Sequence, residues 1–234
     1  MKGFKPYQRI LGFLKKRCPD KVWKSLGSER TNGFIGLILF FLIFGFVRII
    51  WWGGSDNFAF YTGWDGEYDP EPIMEFVDFS DYNQWISLRT ADGVEFFNRY
   101  VYMQNIERDR ESVIIRSDEG KYLGGVRIFP TCAGNREMMI ILLLMLLIPG
   151  PTKPKIWYIP TALILFFIIN CFRLSIVNLT TMCENKEIFV AAHDYSGMAM
   201  SVFVFFIWLF WEKRYAEKYR IECWKRVDKL EKQA

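Results

Sequence analysis

The 234-residue chain is long enough for one domain, or for a membrane domain with a small insert. Its mean hydropathy of +0.06 averages long apolar runs with segments dense in charge, and an aromatic share of 18% is typical of chains at a membrane–water interface. The net charge of +4 does not indicate a nucleic-acid partner, because the basic excess lies at chain ends that flank apolar runs.

Lys and Arg are concentrated at the two ends of the chain. Residues 1–32 hold nine Lys and Arg against two acids, and residues 212–234 hold eight against five. The stretch 53–127 reverses this balance, with fifteen acids and seven basic residues. Cytoplasmic flanks of membrane spans are enriched in Lys and Arg, so both ends are predicted to be cytoplasmic and 53–127 to lie on the outer side.

The first predicted span covers residues 33–52 (GFIGLILFFLIFGFVRIIWW). A helix of roughly 20 residues is about 30 Å long, which is enough to cross the hydrocarbon core. The span follows the basic segment 1–32 and lacks the A-x-A-like cleavage pattern of a signal peptide. It is therefore expected to be a retained anchor.

Residues 53–127 are predicted to form a small β-rich insert domain on the outer face. The segment 85–104 (WISLRTADGVEFFNRYVYMQ) has two β-rich runs around Ala91-Asp92-Gly93, which indicates a hairpin. A second hairpin is predicted for 112–128 (SVIIRSDEGKYLGGVRI), turning at Asp118-Glu119-Gly120. The preceding segment 56–72 (DNFAFYTGWDGEYDPEP) is rich in turn residues and is predicted to be irregular.

Three further spans are predicted in residues 128–211, which would form the core of the protein. The second span is short and runs from near position 132 to 148, because Pro149-Gly150-Pro151 cannot continue a helix. The third covers about 156–177, and the fourth covers about 195–211, after an outer loop at 178–194. Basic segments then fall on the inner side at every crossing.

The predicted fold class is a membrane all-α protein. It would be a four-helix transmembrane bundle with both termini in the cytoplasm and the β-rich insert outside. The tail 212–234 has charges at i, i+4 spacing and interleaved aromatic residues, which favours a helix held on the inner leaflet by anionic lipid. Docking of a protein partner on this helix would give the same pattern.

This topology brings three reactive side chains to one predicted depth. Cys132 precedes a helix that descends from the outer face, so it lies at the N-terminus of that helix. Arg173 is about 17 residues into a helix that rises from the inside, roughly 26 Å up. His193 lies just before the fourth span. The sequence does not fix the lateral distances between them.

Such a trio has the chemistry of a cysteine nucleophile. A thiol attacks as its thiolate, which a helix N-terminus or a nearby cation such as Arg173 favours. Arg173 is also the candidate to stabilise the oxyanion that forms when sulfur adds to a carbonyl. His193 is the candidate to take the thiol proton and return it to a leaving amine. Asn170 lies at i−3 on the same helical face as Arg173, so it is predicted to orient Arg173 or to bind the substrate.

The residues around these side chains resemble a known family. The motifs at 129–134 (FPTCAG) and 170–173 (NCFR), followed by His193 before a last aromatic span, resemble the exosortase/archaeosortase family. The turn at 149–160 (PGPTKPKIWYIP) is similar to the short inner turn of the bacterial members associated with surface sorting. The resemblance covers about 129–211, and the acidic insert lies outside it.

The resemblance implies a membrane-embedded cysteine protease or transpeptidase. Cys132 would be the nucleophile, Arg173 the stabiliser and His193 the acid and base. Members act on C-terminal sorting signals of exported proteins, which consist of a short motif, a hydrophobic helix and a basic tail. The expected location is the cell inner membrane, with the active face outward. Four spans are few for enclosing a substrate helix, so a homo-oligomer or a larger membrane complex is a further expectation.

A non-catalytic function is the alternative. An exosortase-like chain of few spans would then be a structural subunit of an envelope, secretion or surface-polysaccharide complex. It would dock its partners through residues 53–127.

Each candidate residue also has a structural interpretation. Cys132 and Cys183 are both predicted on the oxidising side and would be able to form a disulfide. Arg173 would then only extend to the lipid headgroups, and His193 with Asp194 would be an ordinary pair in a loop. Cys171 lies in apolar sequence and is predicted to be an inert core thiol.

The sequence predicts no metal and no cofactor. A zinc site made of Cys132, Cys183 and His193 lacks the C-x-x-C or H-x-x-x-H spacing of zinc ligands. Gly124-Gly125 lacks the surroundings of a phosphate-binding loop.

Overall fold

The computed structural model describes residues 5–15, 23–25, 27–54, 80–130, 132–183 and 185–232. These residues are mostly helical, with a small three-stranded antiparallel sheet. The helices are α1 (Lys5–Lys15), α2 (Glu29–Gly54), α3 (Ser80–Phe96), α4 (Asn135–Leu147), α5 (Thr152–Thr180), α6 (Lys186–Trp211) and α7 (Glu217–Lys232). The strands are β1 (Asn105–Asp109), β2 (Ser112–Arg116) and β3 (Tyr122–Arg127).

Two helices of the described residues are long and apolar enough to cross a membrane. One is α5, with 29 residues. The other is the continuous helix Lys186–Lys229, in which α6 passes through a π-helical segment, Glu212–Ala216, into α7. The stretch Thr31–Phe46 of α2 is a shorter apolar helix. The helix predicted in the tail is present as α7.

The chain divides into two compact units. The first comprises residues 1–45, 140–162 and 205–234, and the second comprises 46–139 and 163–204. In the first unit, the buried Arg220 guanidinium binds the Glu212 carboxylate and donates a 2.9 Å hydrogen bond to the Asn32 carbonyl. Trp23 stacks on Trp224, with ring centroids 5.6 Å apart. This unit thus combines a buried ion pair with aromatic packing.

The predicted hairpin at 85–104 is wrong, because this segment is α3 followed by a π-helical segment, Phe97–Val101. Its buried residues recur every three or four positions, as in a helix, and not every second position, as in a strand. Gly93 lies inside the helix, where a Cβ would be 2.5 Å from the Cys171 sulfur. The glycine permits close helix packing and does not form a turn.

The second predicted hairpin is confirmed. β2 and β3 pair antiparallel, and Gly120 has a φ of +79° in the turn between them. β1 also pairs antiparallel with β2, joined to it by a tight turn in which Arg110 has a φ of +48°. The predicted irregular segment 56–72 lies outside the described residues.

Two predicted boundaries near the reactive residues have different outcomes. The turn Pro149-Gly150-Pro151 follows the end of α4, as predicted. The predicted outer loop 178–194 is wrong, because α6 begins at Lys186 and His193 is therefore helical. The Asn185 side chain accepts a 2.9 Å hydrogen bond from the Glu187 N–H, which is the geometry of an N-cap. This cap starts the helix seven residues before His193.

Candidate functional site

Cys132 lies in a turn directly before α4, as the sequence predicts. Its backbone N–H and that of Ala133 both donate 2.9 Å hydrogen bonds to the Phe129 carbonyl. The side chain is half-buried. The N-terminus of a helix carries partial positive charge, so this location favours a thiolate at Cys132.

Gly134 makes the turn after Cys132 possible. Its φ of +77° lies in the left-handed region that favours glycine. A Cβ at this position would be 2.8 Å from the Phe166 ring and 3.1 Å from the Asn170 amide nitrogen. The turn that carries the thiol is therefore pressed against α5 with no room for a side chain.

His193 approaches Cys132 from α6. The Nε2 atom of its ring is 3.4 Å from the Cys132 sulfur, and its Nδ1 atom is 3.1 Å from an Asp194 oxygen. The Phe189 ring, one turn earlier, stacks on the imidazole with centroids 6.2 Å apart. With Nδ1–H donating to Asp194, Nε2 is the acceptor that faces the thiol proton, as a general base requires.

Arg173 and Asn170 both bind the backbone carbonyl of Cys132. The Asn170 amide donates to it at 3.0 Å, and an Arg173 Nη2–H donates at 3.3 Å. The Asn170 oxygen in turn accepts a 3.1 Å hydrogen bond from Arg173 Nε. Asn170 is 1% exposed and both ends of its amide are engaged, so its contacts are those of a residue that orients Cys132 and Arg173.

Ser196 joins α6 to this network and has no signal in the sequence. Its hydroxyl accepts a 3.4 Å hydrogen bond from Arg173 Nη1 and donates a 3.1 Å hydrogen bond to the His193 carbonyl. The guanidinium of Arg173 therefore faces the interior of the unit.

These side chains line a cavity of about 370 Å³. Its wall includes Arg136 and Glu137, which form a 3.0 Å ion pair at the start of α4. The sequence places these two residues in the helix but gives them no function. Two cations and two carboxylates therefore surround the thiol, and the apolar remainder of the wall comes mainly from Phe166, Met198 and Met200.

The structure thus brings Cys132, Arg173, His193 and Asn170 to one cavity. The described cysteines, Cys132, Cys171, Cys183 and Cys223, are all thiols, so the structure contains no Cys132–Cys183 disulfide. Cys171 is 1% exposed in the core, in contact with the Thr90 carbonyl. Within the described residues, no group of three or more His, Cys, Asp and Glu side chains is arranged to hold a metal ion.

The comparison with protein families matches residues 70–215 to the family described as transmembrane exosortase. The chain belongs to this family. The match extends the resemblance well upstream of position 129, so the expectation that the whole acidic insert lies outside the family pattern is wrong for residues 70–127. No curated protein and no solved structure matches the chain.

The segments that line the cavity lie within the region that matches the exosortase family. The matched region of this exosortase contains the turn before α4, the polar end of α5 and the first half of α6, which are the three segments that line it. It also contains α3 and the sheet. The described part of the insert is thus part of the exosortase region of this membrane protein.

Proposed function

We propose that this exosortase is a membrane cysteine protease or transpeptidase that cleaves C-terminal sorting signals from exported proteins. The observation that carries the proposal is the 3.4 Å separation of the Cys132 sulfur and the His193 ring. The Arg173 guanidinium is held on the backbone of the same cysteine. A nucleophile, a base and a cation thus share one cavity, which is the constellation that covalent acyl transfer needs.

The reaction begins with proton transfer from the Cys132 thiol to His193 Nε2. The thiolate adds to the scissile carbonyl, and Arg173 stabilises the resulting oxyanion by its positive charge. Collapse of this intermediate forms a thioester on Cys132 and breaks the C–N bond, while His193 returns the proton to the leaving amine. An acceptor amine or water then attacks the thioester and releases the thiol.

The placement in the membrane follows the charge pattern. We place four crossings in α2, α4, α5 and α6, with both termini in the cytoplasm and the cavity at the outer face of the cell inner membrane. α4 has only 13 residues, about 20 Å of helix, so the Cys132 turn lies within the membrane boundary. A polypeptide that emerges from its own membrane helix would reach the thiol at this level.

Replacement of Cys132 by Ala tests the activity without a known substrate. In cells that make this exosortase, the C-terminal peptides of membrane proteins are compared by mass spectrometry between the wild type and Cys132→Ala. We expect exported proteins to keep an apolar C-terminal helix and basic tail only in the variant. Cys183→Ala, which removes an exposed thiol elsewhere, is the matched control and should process normally.

Identical C-terminal peptides in wild type and Cys132→Ala, with equal amounts of both proteins in the membrane, would refute the protease. The structural-subunit alternative makes the opposite prediction. In that case Cys132→Ala changes no substrate, and the chain co-purifies with partners after mild solubilisation in both forms.

A further inference from the structure

The helix α3 touches its neighbours within a narrow range of heights along α5. Near its start, Asn83 hydrogen-bonds Asn135, which follows the glycine packed on Phe166 and Asn170. Near its C-terminal end, Gly93 lies against the sulfur of Cys171.

Just beyond its end, Phe97 packs edge-on against Phe172, with centroids 5.6 Å apart.

The positions of these contacts along α3 and α5 show how α3 is oriented. From Thr90, whose carbonyl contacts the Cys171 sulfur, to Phe97 the helical chain advances about 10 Å, at 1.5 Å per residue. The partners of this stretch on α5 are Cys171 and Phe172, which are consecutive residues about 1.5 Å apart along that helix. A helix parallel to α5 would contact it over its whole length. α3 therefore runs across α5, closer to perpendicular than to parallel.

The exposed side of α3 has an aromatic stripe and a polar stripe, and the exposed Arg89, which pairs with Asp92 at 2.9 Å, lies within the aromatic stripe. At 100° per residue, Tyr82, Trp85 and Phe96 fall within about 60° of one another. Trp85 is 53% and Phe96 54% exposed.

About a quarter of a turn away lies a polar stripe, and its members are Asp81, Gln84, Asp92 and Glu95. The face that packs on the unit, around Asn83 and Thr90, lies on the remaining side.

The aromatic stripe continues into the apolar surface of α5. Phe172 is 41% exposed and belongs to the same face of α5 as the exposed Ile168 and Ile176. It contacts both Phe97 and Tyr102. α5 is long and apolar enough to cross a membrane, so this face is the one that lipid covers.

We propose that α3 is an in-plane membrane helix whose aromatic stripe lies in the interfacial layer of the bilayer. A helix that crosses a membrane span at one height lies parallel to the membrane surface. Aromatic rings collect at the interface, and a helix there buries an apolar face and turns a polar one to water. The two stripes of α3 fit this environment, and lipid is the occupant because the aromatic stripe adjoins a lipid-covered face.

In this placement α3 sets the depth of the cavity beside Cys132. Gly93 is packed on Cys171, and Arg173 follows two residues later on α5. An anchor at this level keeps the Cys132 turn near the headgroups, where a peptide segment emerging from the bilayer meets water. The inference does not depend on the proposed activity and can be tested on Cys132→Ala.

Neighbouring positions on α3 provide the test. The variants Trp85→Cys and Gln84→Cys, and Phe96→Cys and Glu95→Cys, are reconstituted at one chain per nanodisc, which leaves both membrane faces open. A membrane-impermeant maleimide is added, and its rate of reaction is read peptide by peptide by mass spectrometry. We expect labelling at 85 and 96 to be several-fold slower than at 84 and 95.

Equal labelling rates within both pairs would overturn the proposal. Protection of 85 and 96 that arises only when several chains share a nanodisc would also overturn it, because a second copy would then be the occupant. Folding is monitored in the same samples by the Cys171 thiol, which is 1% exposed and must remain unlabelled until the protein is denatured. The two pairs are independent, so loss of folding in one variant leaves the other pair to decide.

Discussion

The guanidinium of Arg173 donates a 3.3 Å hydrogen bond to the backbone carbonyl of Cys132. The charge is thereby attached to the residue that carries the nucleophile. The bond joins the turn that carries the thiol to α5, the helix that carries the cation. Asn170 reinforces the arrangement, because it donates to the same carbonyl and accepts from Arg173. Electrostatic stabilisation depends on such fixed geometry.

Asn170→Asp should reduce processing strongly. The new side chain has nearly the same shape, but a carboxylate oxygen would replace the amide that donates to the Cys132 carbonyl. Two acceptors would then face each other, which we expect to cost about 1–3 kcal/mol of stability. Processing and the unfolding midpoint are the measurements. Asn185→Asp is the matched control, since Asp caps a helix as well as Asn, and it should leave both unchanged.

Arg173→Lys should lose most of the processing activity although the charge remains. The guanidinium contacts Asn170, Ser196 and the Cys132 carbonyl at once, and an ammonium group cannot reproduce this planar arrangement. We expect a loss of at least about tenfold in processing. Full activity of Arg173→Lys would show that charge alone is sufficient. Arg99→Lys, outside the cavity, is the control and should process normally.

Asp194→Asn should slow the reaction of Cys132 with iodoacetamide, and most strongly at low pH. The Asp194 carboxylate accepts from His193 Nδ1 and stabilises the imidazolium that forms when the thiol loses its proton. The Asp194 side chain is 65% exposed, so water competes for this bond and we expect an effect of about two- to fivefold.

The pH profile distinguishes this contribution from a loss of folding, which would change the rate at every pH. Asp194→Glu should restore part of the rate. Glu187→Gln removes an exposed carboxylate from the same helix and should have no effect.

Neighbouring residues in the chain made parts of the fold, and one feature of the site, predictable. Pro149-Gly150-Pro151 cannot continue a helix, so the sequence predicted the end of α4. Gly120 indicated the turn between β2 and β3. The position of Cys132 before α4 followed from the apolar run after it. These features depend on neighbours in the chain, which a sequence displays directly.

Tertiary contacts decided the features that the sequence did not predict. Ala91-Asp92-Gly93 has the composition of a turn. Gly93 nevertheless lies inside α3, at a position where the Cys171 sulfur leaves no room for a Cβ. The binding of Arg173 to a backbone carbonyl, instead of to a side chain, has no sequence signature at all. By contrast, Asn185 with Glu187 two residues later was a recognisable helix start, and it would have placed His193 within α6.

Gly134→Ala should destabilise the protein and disable the site together. A Cβ at a φ of +77° is strained, and it would also meet the Phe166 ring at 2.8 Å. We expect a cost of about 1–3 kcal/mol from the overpacking alone. Gly120→Ala separates the two effects, because Gly120 has nearly the same φ, +79°, and no atom within 4 Å of the new Cβ. If the two variants lose equal stability, the contact with Phe166 contributes nothing.

In the ion pair of the first unit, loss of one partner should destabilise the protein more than the pair itself stabilises it. Arg220 and Glu212 are each 1% exposed. Glu212→Gln therefore leaves a buried guanidinium without its counter-charge. We expect this to lower the free energy of unfolding, measured in SDS, by about 3–5 kcal/mol. The double variant Glu212→Leu/Arg220→Met should cost less than the two single changes added together, because no buried charge remains. Lys213→Ala breaks a pair with Glu217 in which the lysine is 61% exposed, and it should cost less than about 1 kcal/mol. Additive single and double changes would mean that Glu212 and Arg220 stabilise the unit independently, through packing and not through their charges.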